Sequence, residues 1–196
     1  MKLYHSAASP FVRKVRAVAI HHGLELDLVP VNPHESPEAL VQDNPLSKVP
    51  ALVTDDGLAL CDSKLICEYL DSIGHGEKLY PDHGLPRWNA LRVAALAEGV
   101  MEAAVFRRMH GGLPQDEGRQ RFDARAKAAI GRALDALERE DPDAPLTIGA
   151  VAAACALGYL DFRFASEDWR AGRPKLAGWY EKTVQLRPFA ETMPQG

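Results

Sequence analysis

Several things this sequence lacks narrow its possible functions. Its three cysteines, Cys61, Cys67 and Cys155, are an odd number without paired spacing, which argues against both a disulfide framework and a zinc cluster. The seven histidines, His5, His21, His22, His34, His75, His83 and His110, show no His-Glu-x-x-His or comparable ligand spacing, so no metal is expected. Neither Gly-x-Gly-x-x-Gly nor Gly-x-x-x-x-Gly-Lys occurs, which removes the common phosphate cradles. A Gly-x-Ser-x-Gly elbow is also missing, and a serine hydrolase has no support. Positive charge is in deficit: 23 Lys and Arg stand against 27 Asp and Glu, a formal net charge of −4. No broad nucleic-acid-binding surface is expected from that balance. The longest apolar stretch, 149–160, is too short to span a bilayer and reads as a buried helix, so no membrane partner is expected. Met1-Lys2-Leu3-Tyr4-His5-Ser6 holds no apolar run of signal-peptide length. With unpaired cysteines, that predicts a cytoplasmic location.

What is present is ordinary globular material. Hydrophobic residues make up 46% of the 196-residue chain and charged residues 26%, enough for a sizeable core in one or two domains. The acid excess is local. Residues 1–80 carry seven Lys and Arg against eleven Asp and Glu, and the remainder carries 16 of each sign. An anionic ligand bound in the first segment would therefore need local donors, because the average field there repels it.

The first 80 residues alternate strand and helix patterns. Lys2–His5 is a short strand, and Ser9-Pro10 opens a helix, since proline in the first turn lacks only an N–H that would be unpaired anyway. Phe11, Val15, Val18, Ala19 and His22 share one face of that helix, and Gly23 ends it. Leu24–Val31 alternates apolar and acidic residues like a half-buried strand. A short helix is expected around Pro37–Asp43. Pro50–Val53 and Leu58–Leu60 flank Asp55-Asp56-Gly57, a hairpin signal. Asp62-Ser63 then caps a helix carrying Leu65, Ile66, Tyr69 and Leu70 and stopped at Gly74.

Beyond the turn-rich Leu79–Gly84 only helical periodicity remains. Trp88, Leu91, Ala95, Gly99 and Phe106 mark a long helix, and Phe122, Ile130, Leu134 and Leu137 a second. Thr147–Phe164 is apolar nearly all round, as suits the centre of a bundle. Pro174 opens a fourth helix with Trp179, Tyr180 and Val184. The expected order is β-α-β-α-β-β-α, a linker, then all α.

Three short features stand out in the first segment. Ser9-Pro10-Phe11-Val12 begins a helix right after a strand, Lys48-Val49-Pro50-Ala51 enters a strand, and Asp62-Ser63 begins a helix. Singly, capping and strand punctuation explain each of them. In this order and spacing, with Arg13-Lys14-Val15, Asn44-Pro45-Leu46-Ser47 and Leu79-Tyr80-Pro81, the chain resembles the cytosolic glutathione S-transferase family over essentially its whole length. The Ser-Pro-Phe start and Ala154-Cys155-Ala156-Leu157-Gly158-Tyr159-Leu160 look most like a serine-type bacterial branch. The resemblance implies an α/β thioredoxin-like domain at residues 1–78 and an all-helical bundle domain at 86–196.

It also implies a chemistry. Glutathione would be the co-substrate, with a thiol pKa of about 8.5 that leaves only a few per cent thiolate at neutral pH. Ser9 occupies the place of the first cysteine in glutaredoxin-like relatives. Its hydroxyl would donate to the thiolate, assisted by the helix N-terminus. Lowering that pKa by about two units requires about 2.7 kcal/mol. Serine cannot form a mixed disulfide, so disulfide exchange is disfavoured. Val49-Pro50 matches the family's cis-proline and would present the Val49 peptide to the cysteinyl part of glutathione. Asp62 would pair with the γ-glutamyl ammonium, Ser63 would hold the neighbouring carboxylate, and Lys48 would meet the glycyl carboxylate. Ala7, Ala8 and Phe11, with Met101, Val105 and Arg108 from the long helix, would line a pocket for a small hydrophobic electrophile. Arg13 reads as an intersubunit or structural salt bridge, and a homodimer is expected.

Two positions depart from the family's pattern. Thr147-Ile148-Gly149-Ala150 keeps a helix cap but loses the acid that completes a capping box, and Asp62 stands where a glutamate is common. The resemblance leaves open a non-catalytic or regulatory protein of the same fold, and a glutathione-dependent isomerase, dehalogenase or peroxidase.

Overall fold

The computed structural model describes residues 1–140 and 144–195. These divide into two compact units, 1–81 with 186–196 and 82–185. The first begins β1 (Lys2–His5), α1 (Pro10–His21) and β2 (Asp27–Pro30), followed by a 3₁₀ turn at Pro33–Glu35. It continues through α2 (Glu38–Asp43), β3 (Ala51–Val53), β4 (Ala59–Leu60) and α3 (Ser63–Ile73), and α8 (Arg187–Ala190) returns to it. The second unit holds α4 (Gly84–His110), α5 (Glu117–Leu137), α6 (Ile148–Arg163) and α7 (Pro174–Thr183). This is a thioredoxin-like amino-terminal domain followed by a helical domain, the fold class expected.

The sheet order is β2-β1-β3-β4. β1 runs parallel to β2 and antiparallel to β3, with Leu3 opposite Leu52 and Tyr4 opposite Ala51. β3 pairs antiparallel with β4, Leu52 facing Leu60. A parallel β1–β2 pair needs a crossover, and α1 supplies it. Its end is a Schellman turn: Leu24 N–H bonds to the Ala19 carbonyl at 2.9 Å, and Gly23 takes φ +67°, a value glycine adopts without cost. Leu24 and Leu26 alternate with exposed Glu25 as expected, but the ladder itself starts only at Asp27.

α1 and α3 cover the sheet through a buried polar clasp. His22 Nε2 meets Asp71 Oδ1 at 3.0 Å, and the same oxygen accepts the Leu79 N–H at 2.7 Å. Both side chains are almost completely buried. α2 is tied down by Tyr4, whose hydroxyl lies 2.9 Å from Asp43 and donates to the Ala39 carbonyl at 3.0 Å. Lys2 Nζ reaches Asp43 at 3.0 Å and, with Tyr4, holds that carboxyl below its usual range. Leu40 packs beneath it against Tyr4 and Ala51.

In the helical unit α6 is buried almost all round from Ile148 to Leu160, as its composition predicts. The long helix forms as expected, and its buried face is made of other residues than those that mark it. Trp88, Ala95, Gly99 and Phe106 are exposed, while Ala90, Ala94, Ala97, Val100, Met101 and Ala104 are buried. The reason is steric: at Gly149 α6 comes so close to Ala90 and Val93 of α4 that no side chain fits between them. A Cβ on Gly149 would lie 2.7 Å from the Ala90 carbonyl oxygen and 2.8 Å from Val93 Cβ. On α5, Phe122 is likewise exposed, whereas Ile130, Leu134 and Leu137 are buried. Arg107, 7% exposed, joins this unit by bonding Asp123 at 2.9 Å and Glu167 at 2.7 Å.

Gly149→Ala is therefore expected to cost about 1–3 kcal/mol by overpacking. Gly178→Ala on α7, where nothing lies within 4 Å, should gain up to about 1 kcal/mol from helix propensity. Urea unfolding of both variants checks the contrast. A second outcome concerns pH. Burial lowers the His22 pKa despite the opposing pull of Asp71, with small further lowering by His21 and Lys78, and burial lowers His5 as well. The unfolded chain therefore takes up these protons first as pH falls. Stability is full above about pH 6.5 and declines below it. Thermal unfolding between pH 7.5 and 5 should show the midpoint falling, by about 2–4 °C per kcal/mol lost.

Candidate functional site

The strand registers bring the three sequence features to one end of the sheet. β1 ends at His5 and leads through a tight turn to Ser9. Because Ala51 faces Tyr4 on the antiparallel β3, Val49 and Pro50 lie alongside the residues leaving β1. Because Leu60 faces Leu52, β4 runs back to that same end and delivers Asp62 beside it. Alternation and pairing alone thus place Ser9, Val49-Pro50 and Asp62-Ser63 together.

Ser9 is half-buried at the N-cap of α1, and its Oγ accepts the Val12 N–H at 3.3 Å. Its backbone N–H bonds to the Ser6 carbonyl at 3.0 Å, which closes the preceding turn. The hydroxyl proton has no acceptor among the described residues. Proline in the first turn keeps the helix start open, and the adjoining N–H groups carry the partial positive charge of the helix end.

The Val49–Pro50 bond is cis, as expected, and so is Cys61–Asp62, which nothing in the sequence signals. The Val49 peptide groups enter no hydrogen bond among the described residues. Asn44, 1% exposed, holds this loop, a role that sequence reasoning missed. Its Nδ2 donates to the Lys48 carbonyl at 2.8 Å, and its Oδ1 accepts from Leu46 N–H at 3.2 Å. Ser47 takes φ +49° and its hydroxyl donates to the Pro33 carbonyl at 3.0 Å. The Asn-Pro-Leu-Ser run is a recognisable turn signal, but its partner Pro33 is distant in sequence. Lys48 is exposed, and its ammonium has no ion pair among the described residues.

Asp62 is the N-cap of α3, its Oδ1 accepting the Lys64 N–H at 2.9 Å, and the other carboxylate oxygen has no partner among the described residues. Ser63 is buried at the first helical position. Of the residues expected to face an electrophile, Ala7 is exposed and Ala8 and Phe11 half-buried. On α4, Met101 is fully buried, Val105 half-buried and Arg108 exposed.

Of the two readings of Arg13, an intersubunit or a structural salt bridge, the second is not seen within the described residues. Arg13 is 3% exposed, and its Nη2 donates to the Phe189 carbonyl and towards Met193 Sδ, each at 3.3 Å. Among the described residues no carboxylate pairs with it, because the chain that packs there offers a carbonyl and a sulfur. Also among the described residues, no cluster of three or more His, Cys, Asp or Glu side chains could hold a metal ion. No helix is long and apolar enough to cross a membrane.

A sheet end that gathers a helix-capping serine, a cis-proline loop and a second capped helix, on a thioredoxin-like domain followed by a helical one, defines the glutathione transferase class of fold. Residues 3–78 match the glutathione S-transferase amino-terminal domain family and residues 103–182 its carboxy-terminal domain family. An uncharacterized GST-like protein of Escherichia coli (strain K12), YibF, is 32% identical over 99% of this chain and 98% of its own. A glutathione transferase family member from Pseudomonas fluorescens Pf-5, solved with bound glutathione, is 39% identical with a TM-score of 0.91. That comparison covers 100% of this chain and 99% of the other. A glutathione S-transferase from Methylobacillus flagellatus KT, solved with glutathione bound, is 33% identical with a TM-score of 0.90, covering 99% of both chains. The chain belongs to the glutathione S-transferase family.

The capping role of Asp62 can be separated from its charge. Asp62→Ala should lower stability by about 1 kcal/mol, and Asp62→Asn should lower it by no more than a few tenths, since an amide oxygen caps equally well. Denaturant midpoints of the two variants check this.

Proposed function

We propose that this protein is a serine-type glutathione transferase that activates the glutathione thiol for conjugation to small hydrophobic electrophiles. The observation that carries this reading is the Ser9 hydroxyl. It caps α1 by accepting from Val12, which leaves its proton free to donate to a sulfur at the helix N-terminus. A thiolate there gains a hydrogen bond and the favourable helix field, while a neutral thiol gains far less. That difference is what lowers a pKa. On deprotonation the proton leaves to solvent. The sulfur then forms a carbon–sulfur bond while the leaving group departs with its electron pair.

The other roles follow from unused hydrogen-bonding capacity. The Val49 N–H and C=O can pair with the cysteinyl backbone of glutathione in the manner of an added strand. Asp62 keeps one carboxylate oxygen for the γ-glutamyl ammonium. Ser63 at the start of α3 can hold the adjacent carboxylate, and Lys48 can meet the glycyl carboxylate. Ala7, Ala8 and Phe11 supply apolar ground near the sulfur. Glutathione bound to the two relatives solved with it supports the choice of ligand. A cytoplasmic homodimer is the setting this reading carries.

Ser9→Ala should leave glutathione affinity nearly intact by calorimetry and lower conjugation of a chloro-dinitrobenzene by about tenfold or more, the scale of one such donor. Unchanged turnover would remove Ser9 from the mechanism. Absence of glutathione binding to the parent protein at millimolar concentration would favour a regulatory, non-catalytic role.

A further inference from the structure

After α7 the chain returns to the first unit, and its final segment packs against α1. Arg187-Pro188 starts α8, and Phe189 within it is fully buried. Thr192 is 2% exposed, and its hydroxyl donates back to the Pro188 carbonyl at 2.6 Å, closing the turn that follows. From there the Gln195 N–H reaches the Ala7 carbonyl at 3.4 Å. Ala7 sits inside the turn that Ser9 N–H and the Ser6 carbonyl close at 3.0 Å. The end of the segment therefore touches the turn that delivers Ser9.

Arg13 engages the same segment from α1. Its backbone N–H bonds to the Ser9 carbonyl at 3.0 Å, and its Nη2 donates to the Phe189 carbonyl at 3.3 Å. Nε and Nη1 find no acceptor among the described residues. Burying a guanidinium this way is unfavourable compared with an apolar side chain of similar volume. Stability alone does not account for an arginine here. What it does accomplish is geometric: Arg13 grips the segment one turn after Ser9, and Gln195 grips the chain just before Ser9.

We propose that residues 186–195 form a strap that fixes the Ala7–Ser9 turn and the first turn of α1, with Arg13 as its positioning residue. The strap builds on the reading of Ser9 as the thiolate donor. A donor has to be held to within about 0.5 Å and 10–20° of its working geometry. The single 3.3 Å cap bond of Ser9 does not set that alone, and two contacts from the strap restrain the chain on either side.

The test uses Arg13→Met in the full-length chain, with Ser9→Ala alongside. Arg13→Met should unfold at the same temperature as the parent or higher, and bind glutathione within about twofold of it. Amide hydrogen exchange across Ala7–Val12 should accelerate. The pH profile of kcat/KM should move up by about half a unit or more, with conjugation about three- to tenfold slower near pH 6.5. Arg13→Lys, which keeps a donor for the Phe189 carbonyl, should recover part of both changes. A lower unfolding temperature with an unmoved pH profile would show a merely structural arginine and overturn the proposal. Should Ser9→Ala leave the parent profile unchanged, the reading of Ser9 fails. Amide exchange then decides the strap by itself, and unchanged protection at Ala7–Ser9 in Arg13→Met overturns it.

Discussion

The register between β1, β3 and β4 is the constraint on which the rest of the first unit depends. Tyr4 faces Ala51, and Leu52 faces both Leu3 and Leu60. A slip of one residue would turn Leu3 and Leu52, both fully buried, towards the opposite face. It would also carry Val49-Pro50 away from the turn before Ser9, and Asp62 away from both. Strands of two to four residues cannot hold such a register through ladder bonds alone. Side chains at the strand edges do so. Tyr4 reaches across to Asp43 and Ala39, and Lys2 joins it, so that α2 locks β1 while Leu40 seals the space beneath.

That geometry answers the electrostatic problem posed by composition. A first segment with eleven acids and seven bases does not attract an anion through its average field, and screening limits long-range attraction in any case. Capture must come from donors at contact distance. The proposed site has such donors in the two helix starts, the Val49 peptide and the exposed Lys48. Two of the eleven acids already have partners: Asp43 is paired with Lys2, and Asp71 meets His22 and the Leu79 N–H. In the proposed reading, what is left open suits a ligand carrying both an ammonium and carboxylates, since Asp62 presents an acceptor among donors.

The parts of the fold visible in the sequence were those decided within one or two turns of chain. Ser9, Asp62 and Thr147 cap helices because their side chains bond to an N–H two or three residues on, and Gly23 and Gly57 take positive φ where turns demand it. Legibility ended where a partner lay far along the chain. Nothing near Arg13 points to Phe189, and nothing near Ser47 points to Pro33. The buried face of α4 is not legible in the sequence for a related reason. Apolar size does not decide it: α6 presents glycine and several alanines, and on α4 four alanines go inside while Trp88 and Phe106 stay out. α8 has a proline in its first turn, as α1 does, but no capping side chain before it, and four residues make too short a period to register.

Several scaffold networks differ from the proposed site in how many of their polar groups already have partners. In the scaffold, polar groups meet partners: Asp71 accepts two bonds, Tyr4 joins Lys2, Asp43 and Ala39, and Arg107 engages two carboxylates. Partnered groups of this kind restrain one another, although His22 Nδ1 finds no partner among the described residues. At the sheet end the Ser9 proton, the Val49 peptide, one Asp62 oxygen and the Lys48 ammonium have no partner among the described residues. Open capacity costs little there, because water satisfies it until a ligand arrives. The same groups buried in the helical unit would each be destabilising. Local caps on a short, pinned sheet hold the backbone still while leaving those side-chain and peptide groups unspent, and that combination is what thiol activation by a neutral hydroxyl requires.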